Sequence, residues 1–294
     1  MNGKLHRLGS KLSAARRVRK SSKNWIVVLA KIVLDKVGVR PGVMTVKTRS
    51  GIEVSAPLSG VAYAPLIEVL SDDLYRLDEM DWSSIEEPFV ILDIGAHVGT
   101  FSITMAHTLL EAQIVCVEPM PDTVEWLRRN LQVNDVSSRS VIIPVAVSSS
   151  DAIIEMWVDQ EASCEASMVP IADQNPIRVQ SKSLSSIIAS LDRSPNIVKM
   201  DCEGGEYDAI LESPDWCWRT VELLFMEYHP HPSYQYADLK TRLAELGLFE
   251  MWTRLLGQSG VGMALFSRRP TVFGARRRGL PALRRSARSD AVEQ

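Results

Sequence analysis

The segment from Phe89 to Ser102, FVILDIGAHVGTFS, constrains the fold more than any other part of this chain. An apolar run suited to a buried strand meets a turn containing Gly95 and Gly99, and a helix start follows. A second apolar run, IVCVEP, ends in Glu118 and Pro119. Strand, glycine turn, helix and a second strand closed by an acid make up half of a doubly wound α/β sheet, whose ligands sit beyond the carboxyl ends of the strands. Glycine removes the Cβ that would hold a ligand away from the backbone of such a turn. Glu118, 23 positions after Gly95, is placed to accept hydrogen bonds from both hydroxyls of a ribose.

The turn also discriminates between ribose-bearing ligands. A dinucleotide site favours G-x-G-x-x-G, whose second glycine lets the pyrophosphate approach a helix N-terminus. Here the run is Gly95-Ala96-His97-Val98-Gly99, with His97 at the second-glycine position and Asp93 just before the turn, where it would repel a diphosphate. S-adenosylmethionine carries an ammonium, a sulfonium and a ribose but no phosphate, and a strand-end carboxylate suits it. His97 is expected to meet this cofactor through its backbone N–H rather than its ring.

The net charge of −3 conceals an asymmetry. Residues 1–23 hold eight Lys or Arg and no acid, and residues 268–294 hold eight Arg against Asp290 and Glu293. Both ends read as basic disordered tails flanking an acidic globule. Such tails suit anionic lipid head groups, nucleic acid or the acidic core itself. The apolar stretch WIVVLAKIVL, Trp25–Leu34, is too short to span a bilayer and has no small-residue cleavage pattern after it. It reads as a helix packed on the core, with contact to a membrane surface as the alternative. Cys116, Cys164, Cys202 and Cys217 form no C-x-x-C pair, which argues against zinc and against a secreted disulfide scaffold. The expected compartment is the reducing cytoplasm, with the inner membrane surface as the place to which basic tails would bring the protein.

Residues 24–88 form an N-terminal accessory segment: the apolar helix, a hairpin VMTVKTRSGIEVSAP turning at Ser50-Gly51, and short helices over 61–82. Residues 89–267 form the main α/β domain. Its later elements are a helix opened by Pro121-Asp122, a strand from Val141 to Val147, an irregular insertion over 151–182, and a helix near 184–191. The strands IVKM and LLFM follow, ending at Asp201 and Glu227, and the chain closes with a helix and two apolar segments, FEMWTRLL and VGMALFS. The last pair would add an antiparallel edge to a mostly parallel sheet, giving a Rossmann-like, seven-stranded arrangement.

Asp93, Glu118, Asp201 and Glu227 therefore fall on one predicted edge, together with the Ala146 region. Each such acid costs desolvation unless a ligand or metal compensates it. In the cluster Lys199-Met200-Asp201-Cys202-Glu203-Gly204-Gly205-Glu206, Glu206 is explained by the helix start it occupies, where an acid contributes ~0.3–1 kcal/mol. Asp201 and Glu203 are not. In Met226-Glu227-Tyr228-His229-Pro230-His231, His229 lies on the same predicted edge, with His231 the weaker candidate.

Taken together, VILDIGAHVGTFS, IVCVEPMPDT, IIPVAVSSSD, IVKMDCEGGEYDAIL and MEYHP resemble the FkbM-type S-adenosylmethionine-dependent methyltransferases over about residues 45–266. The resemblance implies a class I methyltransferase fold and O-methylation of a hydroxyl on a sugar, glycolipid or secondary metabolite. It implies that Asp93, Gly95, Gly99 and Glu118 hold the cofactor. Ala96, His97, Pro119, Ala146 and Asp201 complete the expected cofactor set. His97 stands where the family usually has Asn, and Gly205 where it usually has Ala.

An alcohol needs a base to take its proton as it attacks the sulfonium methyl. His229 is the first candidate and Glu203 the second; alternatively, Asp201 and Glu227 hold a divalent cation that polarises the hydroxyl. Three other readings compete. A nucleic-acid methyltransferase recruited by the tails lacks an N-P-P-[YFW] or D-P-P-[YFW] segment and a Pro-Cys nucleophile, and its acidic core would repel phosphates. An NAD-dependent oxidoreductase lacks the required glycine. An inactive cofactor-binding scaffold would have no use for the strand-end acids.

Overall fold

The computed structural model describes residues 15–39, 42–58, 64–72, 74–158, 166–167, 176–256 and 260–269. Residues 1–14 and 270–294 of the expected tails, and 159–165 and 168–175 of the insertion, lie outside the described residues. A helical run over residues 15–21 (α1) leads into helix α2, Trp25–Lys36, and the hairpin β1, Val43–Lys47, with β2, Glu53–Pro57. Helix α3, Ala64–Asp72, precedes the main sheet.

That sheet begins with β3, Val90–Ile94, α4, Thr100–Thr108, β4, Gln113–Val117, α5, Pro121–Val133, and β5, Ser140–Ile143. Next come β6, Ala146–Val147, β7, Ala152–Val158, β8, Ala166–Ser167, and β9, Ile177–Lys182. Helix α6, Leu184–Ala189, β10, Ile197–Met200, α7, Glu206–Leu211, and β11, Leu223–Tyr228, follow. The last elements are α8, Tyr236–Glu245, β12, Phe249–Leu255, and β13, Gly262–Ser267.

Seven strands form one sheet in the order β12-β13-β11-β10-β3-β4-β5, parallel from β11 to β5 and antiparallel at β13 and β12. The central strands β3 and β10 are buried at every residue because helices cover both faces. On one face Phe101 and Ile103 of α4 and Leu127 and Leu131 of α5 join Val28, Met44 and Leu66 of the N-terminal segment. On the other, Leu184 and Ile187 of α6 pack with Tyr207 and Ile210 of α7 and Leu239 and Leu243 of α8. The N-terminal hairpin is stitched to the sheet layer by α5. Asn130 and Asn134, one helical turn apart, exchange hydrogen bonds of 2.7–3.0 Å with the main chain of Ser55 and Glu53.

The structure corrects the sequence reading in three places. Val141–Val147 is not one strand: Pro144 has no N–H for a ladder, so β5 stops at Ile143 and β6 pairs instead with β9. The insertion is more regular than expected, with β7 and β9 pairing antiparallel. The tail boundaries also move. Residues 15–21 are helical and Ser22 bridges Thr48, while Arg268 donates to Trp218 and Val221 carbonyls and Arg269 pairs with Glu86 and Glu222.

Candidate active site

The order of the sheet strands reverses between β3 and β10, and a cavity of about 270 Å³ opens at the carboxyl ends of the strands there. One wall is the glycine turn. Gly95 has φ +72°, and a Cβ on it would lie 1.7 Å from the Asp201 carbonyl oxygen, so the two strand-end loops cross with room for hydrogen only. Gly95 and Ala96 N–H donate to the Val117 carbonyl at 2.9 and 3.0 Å, and Gly99 N–H donates to the Ala96 carbonyl at 2.8 Å. His97 N–H donates to Glu118 Oε2 at 2.9 Å. These donors are committed internally, which leaves the turn poorly equipped to cradle a diphosphate.

The His97 N–H that was expected to meet the cofactor has a partner within the protein. That backbone N–H serves Glu118; the residue lines the cavity, and both ring nitrogens are buried and without hydrogen-bond partners among the described residues. Burial, followed by the charge of Lys199, lowers its pKa to about 4, so the imidazole is neutral. Thr100 Oγ1, also lining the cavity, is likewise buried and unpartnered among the described residues. Glu118 Oε1 accepts from Met120 N–H at 3.0 Å, and burial pushes the Glu118 pKa up to about 7 despite both hydrogen bonds. Its carboxylate retains lone pairs for two further donors. Unpartnered polar atoms on two lining residues and a ribose-competent acid in one mainly apolar slot fit S-adenosylmethionine.

Of the other expected cofactor residues, Pro119, Ala146 and Asp201 line the cavity. Asp93 and Gly99 do not. Asp93 is fully buried behind the wall, accepting from Ser102 Oγ at 2.6 Å and pairing with Lys199 Nζ at 3.4 Å. Gly99 has φ +89° at the start of α4, where a Cβ would meet Leu127 Cδ1 at 2.6 Å, so it serves packing.

The sequence reading assigned no role to Lys199. It is 4% exposed, pairs with Asp201 at 3.6 Å as well as with Asp93, and donates to the Gly95 carbonyl at 2.6 Å. Burial alone would lower its pKa, but Tyr75, Asp93, Asp201 and Glu227 raise it well above the usual range, so it is a permanent cation. Its position beside Asp93 in adjacent strands is a register property that spacing along the chain does not reveal.

The cavity is also lined by Asp201, Glu203 and Glu227, and His229 lies beside the two glutamates. His229 Nδ1 lies 3.0 Å from Glu206 Oε1, and its Nε2 lies 3.3 Å from Glu203 and 3.7 Å from Glu227. Glu206 is fully buried, and it also accepts from Cys202 and Gly204 N–H at 3.0 and 2.9 Å. The helix-start explanation of Glu206 is therefore incomplete, because this carboxylate clamps both the Cys202–Gly204 turn and the His229 ring.

Burial would lower the His229 pKa, but the hydrogen bond to Glu206 and the surrounding acids raise it to about 10. This favours the charged imidazole at neutral pH, a form that has no free lone pair to take a proton. Glu227 is the group poised near working pH: burial, then Asp201, raise its pKa to about 8. Tyr75, Pro65, Val69 and Leu256 close the cavity from outside the glycine-turn half, and Met156 contributes from the insertion.

A Rossmann-like sheet of this order with a cofactor wall of this kind defines an S-adenosylmethionine-dependent methyltransferase of class I. The chain matches the Methyltransferase FkbM domain over residues 93–256. It belongs to that family. Methyltransferase sdnD of Sordaria araneosa is 24% identical over 54% of this chain and 72% of its own. Methyltransferase 1 of Beauveria bassiana (strain ARSEF 2860) is 23% identical over 62% of this chain and 80% of its own. Among solved structures, M. capricolum TrmK in complex with S-adenosylhomocysteine aligns at 8% identity and TM-score 0.42, covering 68% of this chain and 69% of that one.

Proposed function

We propose that this enzyme transfers the methyl group of S-adenosylmethionine to a hydroxyl of a small molecule, of the sugar, glycolipid or secondary-metabolite class, with Glu227 as the proton acceptor. The observation that carries the reading is the position of Glu227. It lines the same cavity as Gly95 and Glu118, together with Asp201 and Glu203. In the transfer, the acceptor oxygen attacks the methyl carbon in line with sulfur, the carbon–sulfur bond breaks and neutral S-adenosylhomocysteine leaves. The hydroxyl proton passes to the Glu227 carboxylate. Alignment supplies much of the rate, and a base with a pKa near working pH adds to it. His229, locked by Glu206, keeps a positive charge near Glu227 that limits how far that pKa rises.

The test is Glu227→Gln, assayed with labelled S-adenosylmethionine against extracts rich in sugars and glycolipids. Turnover should fall by ~10²–10⁴-fold while S-adenosylhomocysteine binding persists. Full turnover by this variant would overturn the assignment. A second reading, a divalent cation on this wall, is supported by Asp201, Glu227 and His229 each offering a ligand atom within 4.8 Å of the others. It is the weaker reading, because His229 is held protonated and Lys199 already neutralises Asp201. Loss of turnover in EDTA, restored by Mg²⁺, would favour it.

A further inference from the structure

Helix α2 carries more apolar surface than a helix that only packs on a core can use. It is anchored from below: Val28 is fully buried, Trp25, Leu29 and Ile32 pack partly against the core, and Lys31 donates to the Val43 carbonyl. Asn24 just before it exchanges hydrogen bonds with the main chain of Thr45 and Lys47 at 2.8 and 3.0 Å. At 100° per residue, the face opposite Val28 carries Ile26, Ala30, Val33 and Val37, flanked by Val27 and Leu34. All six are exposed, Ile26 at 64%, Val33 at 61% and Val37 at 68%, and Val39 just beyond is exposed as well. A helix apolar all round is ordinarily buried on all sides, so this rigidly mounted outer face calls for a covering.

Charge identifies what covers it. Residues 15–39 carry Arg16, Arg17, Arg19, Lys20, Lys23, Lys31 and Lys36 against Asp35 as the single acid. Arg16, Arg17, Arg19 and Lys20 are exposed on α1, and Lys23 and Lys36 are exposed at the two ends of α2. A second copy stacked face to face would bring two basic rims together. Residues 1–14 and 270–294 are basic themselves and would meet the same repulsion. An anionic bilayer satisfies both features, taking the apolar side chains among its acyl chains and the Lys and Arg among its head groups. No helix among the described residues is long and apolar enough to cross a membrane, so the contact is with one surface.

We infer that the outer face of α2, with the basic residues of α1 around it, is a docking surface for anionic lipid bilayers. The experiment is flotation of the full chain with vesicles of phosphatidylcholine plus phosphatidylglycerol, against phosphatidylcholine alone. The protein should float with the anionic vesicles and at least tenfold less with the neutral ones. The double variant Ile26→Ser, Val33→Ser should lose at least tenfold of that binding while its circular dichroism and S-adenosylhomocysteine binding stay unchanged. The variant Arg16→Gln, Lys20→Gln, Lys23→Gln should lose it too. Unchanged flotation of the serine variant would overturn the inference, since basic charge alone would then account for binding. No flotation, with a dimer in sedimentation that the serine variant dissociates, would overturn it in favour of a second copy.

Discussion

The wall around Gly95 and Glu118 is held by main-chain hydrogen bonds, whereas the wall around Asp201, Glu227 and His229 is held by side-chain charge. On the first, Gly95, Ala96 and His97 N–H groups are each spent on the neighbouring strand end, and the geometry follows from the turn. On the second, one buried carboxylate, Glu206, fixes an imidazolium that sets the charge state of its neighbours. The main-chain hydrogen bonds of the first wall do not titrate, and its close backbone crossing is intolerant of volume. A charge-built wall is the reverse. The difference suits the division of labour, since a cofactor needs a constant shape and a proton acceptor needs a tuned pKa.

The largest effect should come where the two walls touch. Gly95→Ala would drive a Cβ to within 1.7 Å of the Asp201 carbonyl, which is backbone and cannot rotate away. It should abolish measurable S-adenosylmethionine binding in calorimetry and lower stability by about 2 kcal/mol or more. A bound, fully folded Gly95→Ala protein would show that the crossing is loose and that the walls are not coupled.

Next is Glu206→Gln, which attacks the charged wall alone. It removes the acceptor that keeps His229 protonated, so the His229 pKa should fall and Glu227 should lose a neighbouring positive charge. The pKa of Glu227, about 8 with His229 charged, should then rise, moving the acid limb of the pH–rate profile to higher pH. Glutamine keeps one acceptor oxygen, so one of the Cys202 and Gly204 N–H donors loses its partner, and unfolding should show a loss of ~1–3 kcal/mol. Lowered stability with an unmoved profile would reduce Glu206 to scaffolding.

These two positions also mark what was legible in the sequence. The glycine turn, Glu118 and the alternation of strands and helices are local patterns within some thirty residues, and the structure has them where spacing put them. Glu206 and His229 are 23 residues apart, and Lys199 meets Asp93 only through strand register, so their roles depend on contacts that no local spacing encodes. Asp93 shows the same limit. Its place at a strand end is evident, but not that Ser102 donates to Oδ2 while Lys199 Nζ lies 3.4 Å from Oδ1. Pro144, by contrast, was a readable strand breaker, and the expected strand ran through it.

A smaller effect sharpens the comparison by finding the one titratable acid on the main-chain wall. The Glu118 pKa of about 7 lies above its unfolded value, as does that of Glu227 at about 8. Such groups contribute stability that is complete below pH ~4.5 and is lost as pH rises through 7 and 8. The cofactor-free protein should therefore lose thermal stability between about pH 4.5 and pH 8, with little further loss above that. A ribose donating two hydrogen bonds needs the Glu118 carboxylate ionised, so the cofactor should bind about tenfold more weakly at pH 6 than at pH 8. Glu118→Gln should bind weakly at both. Affinity constant across this range in the native protein would mean that Glu118 is not the ribose partner.

The smallest effect is expected at His97, where the main-chain wall carries an uncommon side chain. Its φ of 51° lies in the left-handed region, which Asn adopts more readily than most residues. Its ring is held neutral with both nitrogens lacking partners among the described residues, so burial costs stability, and increasingly so as pH falls from 6.5 toward 4. His97→Asn keeps a polar residue lining the cavity and leaves the N–H on Glu118 in place. Thermal stability should rise slightly, by less than about 1 kcal/mol, and more at pH 5 than at pH 8. If the imidazole only fills the turn, cofactor affinity should barely change. If it donates to the cofactor or the acceptor, affinity or KM should weaken several-fold with the fold intact, and the main-chain wall would then contain one side chain that reads the ligand directly.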